Sequence, residues 1–489
     1  MSFNVKESIE RTVINKVIDD VVKDLKKDPA HNLDKAIDRI SSLSGKLSFL
    51  PVFKTQIEGL KRMSDNDGPG KYFWVNTFRD TEEGFLRTFL KSFVVEAGWL
   101  GIAKQRRITQ QEGFSVPYFM LIDPTERCNY QCKGCWAGSY EQLKEMPFET
   151  FDRVLTEGAD LGIHFVVVSG GEPTMYPRLT EMFAKHKDIA FMFYTNGSLV
   201  TEEFVEELRS AGNAIPCFSV EGFKEKTDDR RGDGAWDRVM LAMDRCQKAG
   251  VPFGYSVTET HQNIQEVTSD AFVDHMIDKG AKIAWYFQYI PIGRQPDLSM
   301  MLTAEQRLFS YNRIHAIRSS EPLFIADFWN DGPFTGGCLA GARQYFHVTA
   351  DGGIEPCAFI HLSQGNINDM SLAEALQLPF FQEIQKLEPY SDNLMAPCLL
   401  MDHPDYFRKI AALPGVRGTD GTVENMSGEV GKHLDKVSRE WEALSRPVFE
   451  RDFPVEAAKF AKLKKDKEAN IASHDGDMRA FYRDPTVEK

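Results

Sequence analysis

Cys128-Asn-Tyr-Gln-Cys132-Lys-Gly-Cys135 places three cysteines on one short stretch, spaced C-x3-C-x2-C. They follow an apolar run, Tyr118-Phe-Met-Leu-Ile122, which Asp123-Pro124 breaks, so the loop opens where a strand ends. Three is one ligand short. A closed zinc site takes four ligands, and a fully protein-ligated iron–sulfur cluster takes four cysteines. Three thiolates on one loop can hold three irons of a cubane and leave the fourth open to something other than protein.

Working outward from this loop, residues 116–294 alternate between strand and helix patterns. Strands are predicted at Tyr118–Ile122, Phe165–Ser169, Ala190–Thr195, Ile215–Val220, Pro252–Val257 and Ile283–Ile290. Amphipathic helices separate them; the clearest stripe is Trp236, Val239, Met240, Met243 and Cys246, stopped by Gly250. This pattern implies an α/β fold with a parallel sheet, whose sites form at the C-terminal strand ends. The cysteine loop is at such an end.

On the N-terminal side the chain reads as helical, with Val13, Ile14, Val17, Ile18, Val21 and Val22 at helical spacing. Ser64–Gly70 is a turn-rich break, and a second helical stretch covers Glu83–Ala103. Leu47–Phe53 reads as a buried interhelical face rather than a lipid contact. On the C-terminal side a helix near Ala304–Ser319 precedes a hairpin signal, Gln344–Val348, Asp351-Gly-Gly353 and Ile354–Cys357. Ser371 and Glu374 form a capping box. The final residues are charged and helical, with a polar end at Asp475–Lys489. The expected divisions are 1–112, 113–300, 301–404 and 405–489.

Eight cysteines, clustered rather than spread, suit metal ligation in a reducing compartment better than a disulfide framework. The net charge of −14 argues against general nucleic-acid binding. No apolar run reaches the roughly 18–20 residues that span a bilayer, and the start lacks a signal-peptide layout. The expected location is cytoplasmic.

The C-x3-C-x2-C loop resembles the signature of the radical S-adenosylmethionine (radical SAM) superfamily. The likeness continues in order through Ser169-Gly170-Gly171-Glu172-Pro173, Tyr194-Thr195-Asn196-Gly197, Ser219-Val-Glu221-Gly222 and Arg231-Gly232. It implies a partial (β/α)6 TIM-like barrel with a helical N-terminal domain. It also implies that Cys128, Cys132 and Cys135 ligate a [4Fe–4S] cluster whose open iron is chelated by S-adenosylmethionine. Gly170 and Gly171 would give the methionyl end a close backbone approach. By the same resemblance Glu172 would accept its ammonium, Arg231 would meet its carboxylate, and Ser219, Glu221 and Asn196 would contact the ribose or methionyl group. Where the family usually carries an aromatic residue before the third cysteine, this chain has Gly134; Trp136 is the expected substitute against the adenine.

A second set, Cys338, Cys357 and Cys398, lies among Gly337-Cys338, Pro356-Cys357 and Gly365-Asn366-Ile367. It resembles the C-terminal auxiliary-cluster extension called SPASM, or twitch when shorter. Three cysteines imply one auxiliary [4Fe–4S] cluster, with His361, Asp402, His403 or substrate as a possible fourth ligand. Cys217 and Cys246 read as packing thiols, and His347 and His361 as structural.

The expected activity is reductive cleavage of S-adenosylmethionine to a 5′-deoxyadenosyl radical, then hydrogen abstraction from a small-molecule or lipid-like substrate. The alternatives are a peptide or protein substrate and, from another class, a non-enzymatic iron–sulfur electron carrier. The expected partner is a low-potential electron donor, flavodoxin or ferredoxin.

Overall fold

The computed structural model describes residues 2–44, 51–64, 67–137, 143–420 and 422–473. Leu47–Leu50 and Asp475–Lys489 therefore lie outside the described residues.

The central sheet has nine strands. These are β1 (Phe119–Ile122), β2 (Phe165–Val168), β3 (Ala190–Thr195), β4 (Ala214–Val220), β5 (Gly254–Glu259), β6 (Ile283–Gln288), β7 (Phe324–Asp327), β8 (Tyr345–Val348) and β9 (Ile354–Glu355). Their order is β7-β6-β5-β4-β3-β2-β1-β8-β9. β1 to β6 are the six predicted strands, each parallel to the next. Burial on both faces makes β4 legible: every residue is buried, and it reads as an apolar run broken only by Ser219.

The sheet extends past the expected six strands at both edges. β7 adds parallel to β6. At the other edge the predicted hairpin forms, with His347 opposite Glu355, but β8 also joins the barrel, parallel to β1. The C-terminal extension thus begins inside the sheet. The pairing sets Leu121 beside His347, and Phe119 stacks on Tyr345 with centroids 4.9 Å apart.

Helices Ser2–Lys27, Pro29–Ser44, Pro51–Ser64 and Pro69–Asp80 precede the barrel and pack around a core of Val22, Leu25, Leu33, Ile37 and Phe78. The single helix expected at Glu83–Ala103 is α-helical only to Leu90 and then winds as a wider π-helix over Lys91–Gly101. Its end packs tightly on the barrel, where a Cβ on Gly101 would lie 2.5 Å from the carbonyl of Gly162. Helix Glu429–Asp452 packs on helix Ala304–Ser320. There the Arg307 guanidinium lies over the buried Trp441 ring at 4.1 Å and pairs with Asp402 at 2.6 Å. Among the described residues no helix is long and apolar enough to cross a membrane.

Candidate active site

The cysteine loop is pinned from three sides. Gly171 and Glu172 donate their N–H groups to the carbonyls of Thr125 and Arg127, each at 2.8 Å. Lys133 donates to the carbonyl of Arg230, and Arg294 to that of Cys135, both at 2.9 Å. The end of β2, the helix Lys224–Arg231 and the segment after β6 thereby set the path of one loop.

The glycine pair also makes room for this loop. Cβ atoms on Gly170 and Gly171 would lie 2.5 Å from the Thr125 carbonyl and 2.2 Å from the Arg127 carbonyl. Gly170 also has φ +105°, a conformation that side chains disfavour. The close approach they permit is to the cysteine loop itself.

Glu172 also has partners within the protein. It is 1 % exposed, and one oxygen accepts from Thr174 N, Thr174 Oγ1 and Thr195 Oγ1 while the other accepts from Asn196 N. Three donors share one oxygen and a single donor reaches the other, so the second oxygen keeps an accepting site. Burial raises its pKa against those hydrogen bonds. Glu172 clamps the ends of β2 and β3. Asn196 completes the clamp by donating to Asn129 Oδ1 at 2.8 Å and accepting from Ser198 N at 2.9 Å.

Two cavities meet at Trp136. The first, about 110 Å³, lies inside the barrel and is walled by Phe119, Trp136, Tyr194, Trp285, Phe287 and Tyr345. Its polar edge is Ser169, Ser219, Ser256, Thr258, Arg230 and Arg231. Ser219 and Arg231 are thus on the wall, as expected. Glu221 is behind it: it is 1 % exposed and pairs with Arg230 and Arg231, the latter at 2.6 Å. Glu221 neutralises two guanidiniums rather than facing the cavity. Arg230, the first of two adjacent arginines, escaped the sequence reading because an exposed charged loop was the simpler expectation for Asp228–Arg231.

The missing aromatic before Cys135 also has a physical reason. Gly134 sits at φ +60°, and a Cβ there would lie 2.6 Å from the ring of Tyr289. Tyr289, just beyond β6, fills that space from the opposite side and lines the cavity. Trp136 lines the same cavity, packing on Phe359 at 5.3 Å and stacking on His361. Of the aromatic run on β6, Trp285, Phe287 and Tyr289 line the barrel interior, while the Tyr286 hydroxyl turns away to the Val267 carbonyl.

The second cavity, about 410 Å³, is polar. Asp123, Glu126, Lys144, Gly170, Gly171, His347, Asp351, Glu355, His361 and Asp420 line it. His347 bridges Asp123 at 2.9 Å and Glu355 at 2.8 Å. Burial opposes its charge, but the two carboxylates hold its pKa up to about 10. His361 stands 3.6 Å from Glu355 and 3.1 Å from the Trp136 carbonyl. Both histidines belong to a cavity-lining network, which no spacing in the sequence connects.

The candidate ligand cysteines are all free thiols. Burial pushes Cys128 up to about 12, with Cys132 and Cys135 close enough to add to the shift. Cys338, Cys357 and Cys398 likewise sense one another, and burial raises them too. Such thiols ionise only with a positive partner, as a metal provides. Backbone N–H groups lie 3.4 Å from the sulfurs of Cys128, Cys338, Cys357 and Cys398, the hydrogen bonding that iron–sulfur thiolates receive. Among the described residues no three His, Cys, Asp or Glu side chains converge on a single-metal site. A cubane differs, taking each thiolate on a separate iron. The donor sets fit clusters.

Comparison with known proteins agrees. The radical SAM superfamily model matches residues 122–271, and that of the iron–sulfur cluster-binding SPASM domain matches 338–399. The chain belongs to the radical SAM superfamily. This radical SAM enzyme is 24 % identical over 290 residues to the AdoMet-dependent heme synthase of Methanosarcina barkeri, covering 53 % of this chain and 82 % of that one. It is 26 % identical over 300 residues to the PqqA peptide cyclase of Gluconobacter oxydans, covering 58 % and 82 %. Its fold is similar to that of Streptococcus suis SuiB bound to S-adenosylmethionine, with TM-score 0.50, 18 % identity, and coverage of 64 % and 82 %. The chemistry is C–H activation with a [4Fe–4S] cluster, S-adenosylmethionine and a SPASM iron–sulfur centre. The electron-carrier alternative falls with this assignment.

Of the possible fourth ligands, Asp402 accepts the N–H of Cys398 at 3.0 Å but is held by Arg307, and His403 meets the Ala396 carbonyl at 2.8 Å. Glu388, absent from the sequence reading, is the carboxylate whose charge most strongly raises Cys338 after burial itself.

Proposed function

We propose that this enzyme abstracts hydrogen from a peptide or protein substrate. The observation that supports it best is the polar cavity of about 410 Å³ beside the cysteine loop. Peptide backbone carries a donor and an acceptor at nearly every residue, and the carboxylates, hydroxyls and imidazolium groups of this cavity meet both. An acyl chain would call for a long apolar tunnel, whereas the apolar space in the barrel is about 110 Å³. The likeness to a peptide cyclase supports the same reading. The expectation of a small-molecule or lipid-like substrate gives way to it. A small-molecule reading keeps one specific support, the likeness to heme synthases.

In this proposal Cys128, Cys132 and Cys135 hold the catalytic cluster and Cys338, Cys357 and Cys398 the auxiliary one. Ser219 and Arg231 face the methionyl carboxylate, for which a guanidinium fork is well shaped. Tyr289 packs against the adenine. When bound, the cluster and cofactor supply one-electron cleavage of a carbon–sulfur bond and a 5′-deoxyadenosyl radical. Trp136, Phe287 and Tyr345 exclude water from the reacting centre. A flavodoxin or ferredoxin supplies the electron.

Anaerobic incubation with S-adenosylmethionine, reductant and a library of deuterated peptides should place deuterium in 5′-deoxyadenosine. Transfer from a deuterated tetrapyrrole, with none from any peptide, would overturn the peptide reading.

A further inference from the structure

Tyr345 touches both halves of the site. Its ring lines the barrel cavity and stacks on Phe119 at 4.9 Å, with planes 6° apart. Its hydroxyl lies 2.7 Å from the sulfur of Cys357. Cys357 sulfur also receives the N–H of Phe359 at 3.4 Å. The Tyr345 side chain is 2 % exposed, so no bulk water competes for that hydroxyl.

The place of Tyr345 follows from the fold. β8 pairs with β1, which aligns Tyr345 with Phe119 on the interior face. The hairpin then returns the chain through β9 to Cys357, beneath the same ring. An aromatic wall continues from this point: Phe328 lies 6.2 Å from Tyr345 and 5.0 Å from Trp329, which lies 5.0 Å from Phe359. The barrel cavity and the Cys357 sulfur are therefore separated by one tyrosine ring.

We propose that Tyr345 is a positioning residue that sets the reduction potential of the auxiliary cluster through its hydrogen bond to Cys357 while forming part of the barrel-cavity wall. This rests on Cys357 being a cluster ligand. A hydrogen bond to a ligating thiolate favours the more negative, reduced cluster and raises its potential. Phenylalanine could hold the Phe119 stack equally well, so the stack alone does not explain the hydroxyl. A buried hydroxyl needs a partner, and the sulfur provides one.

The test is Tyr345→Phe, which keeps the ring and removes the hydroxyl. In an anaerobic potentiometric titration followed by electron paramagnetic resonance, one cluster signal should shift to lower potential and the other should stay. The expected size is about a tenfold loss in the reduced-to-oxidised ratio at fixed potential, or about 59 mV for one electron. Phe328→Leu, which alters the wall without reaching the sulfur, should leave both midpoints in place. In the unsubstituted protein, tyrosine labelled with 17O at the phenol should give an 17O coupling to the auxiliary cluster, which no backbone N–H can produce. That readout holds even if Tyr345→Phe does not fold. Two clusters with no shift and no 17O coupling would overturn the role of Tyr345. A single cluster, with about four irons in both proteins, would overturn the auxiliary-cluster reading instead.

Discussion

Glu221 and Arg230 face each other wholly inside the protein, the carboxylate side chain 1 % and the guanidinium 9 % exposed, and Arg231 shares the same carboxylate oxygen. Arg230 also reaches the Gly134 carbonyl at 3.4 Å. One buried acid thus fixes both guanidiniums against the cysteine loop. Glu221→Gln would strand two buried cations, and removing one partner of a buried pair costs about 3–5 kcal/mol. Denaturant midpoints should fall accordingly, and S-adenosylmethionine affinity should fall with them.

Restoring the family's aromatic at position 134 should fail. The φ of +60° costs any side chain about 1–2 kcal/mol, and the Cβ contact with Tyr289 adds to it. Gly134→Ala should therefore weaken both stability and cofactor binding. Tyr289→Leu should weaken cofactor binding more than stability, which equilibrium dialysis against denaturation would separate.

His347 gives a pH signature. Its pKa is about 10 in the folded protein against 6.5 for the free side chain. The stability it contributes is full below about 6.5 and is lost as pH rises through about 10. Chemical denaturation between pH 7 and 10 should show falling stability, and His347→Asn should flatten that slope while lowering stability at pH 7.

The cysteines divide by role. Cys357→Ala should reduce the iron of reconstituted protein from about eight per chain to about four. Cys246, fully buried on its helix stripe, should tolerate alanine with iron content unchanged.

The six parallel strands were legible because they are largely buried runs of apolar residues separated by amphipathic helices; β6 alternates buried and half-buried residues and was legible from its aromatic run. The cysteine loop was legible for a different reason: its ligands are adjacent in sequence. The edge strand β7 escaped notice because Phe324–Asp327 is a short run whose first residue is exposed. β8 was read as half of a hairpin, but its pairing with β1 joins residues more than two hundred positions apart. The same distance hid the Asp123–His347 contact; the Tyr345–Cys357 and His347–Glu355 contacts lie within the predicted hairpin, and what hid them is that its sequence does not say which side chains meet. Gly171, Glu172 and Glu221 match a pattern by identity, but what they touch depends on a loop that only the fold brings to them.

The most direct measurement is 5′-deoxyadenosine formation. Anaerobically reconstituted protein, given dithionite and S-adenosylmethionine, should release 5′-deoxyadenosine, and Cys132→Ala should release none. Unsubstituted protein that carries its iron–sulfur clusters and binds S-adenosylmethionine, yet yields no 5′-deoxyadenosine, would contradict the account.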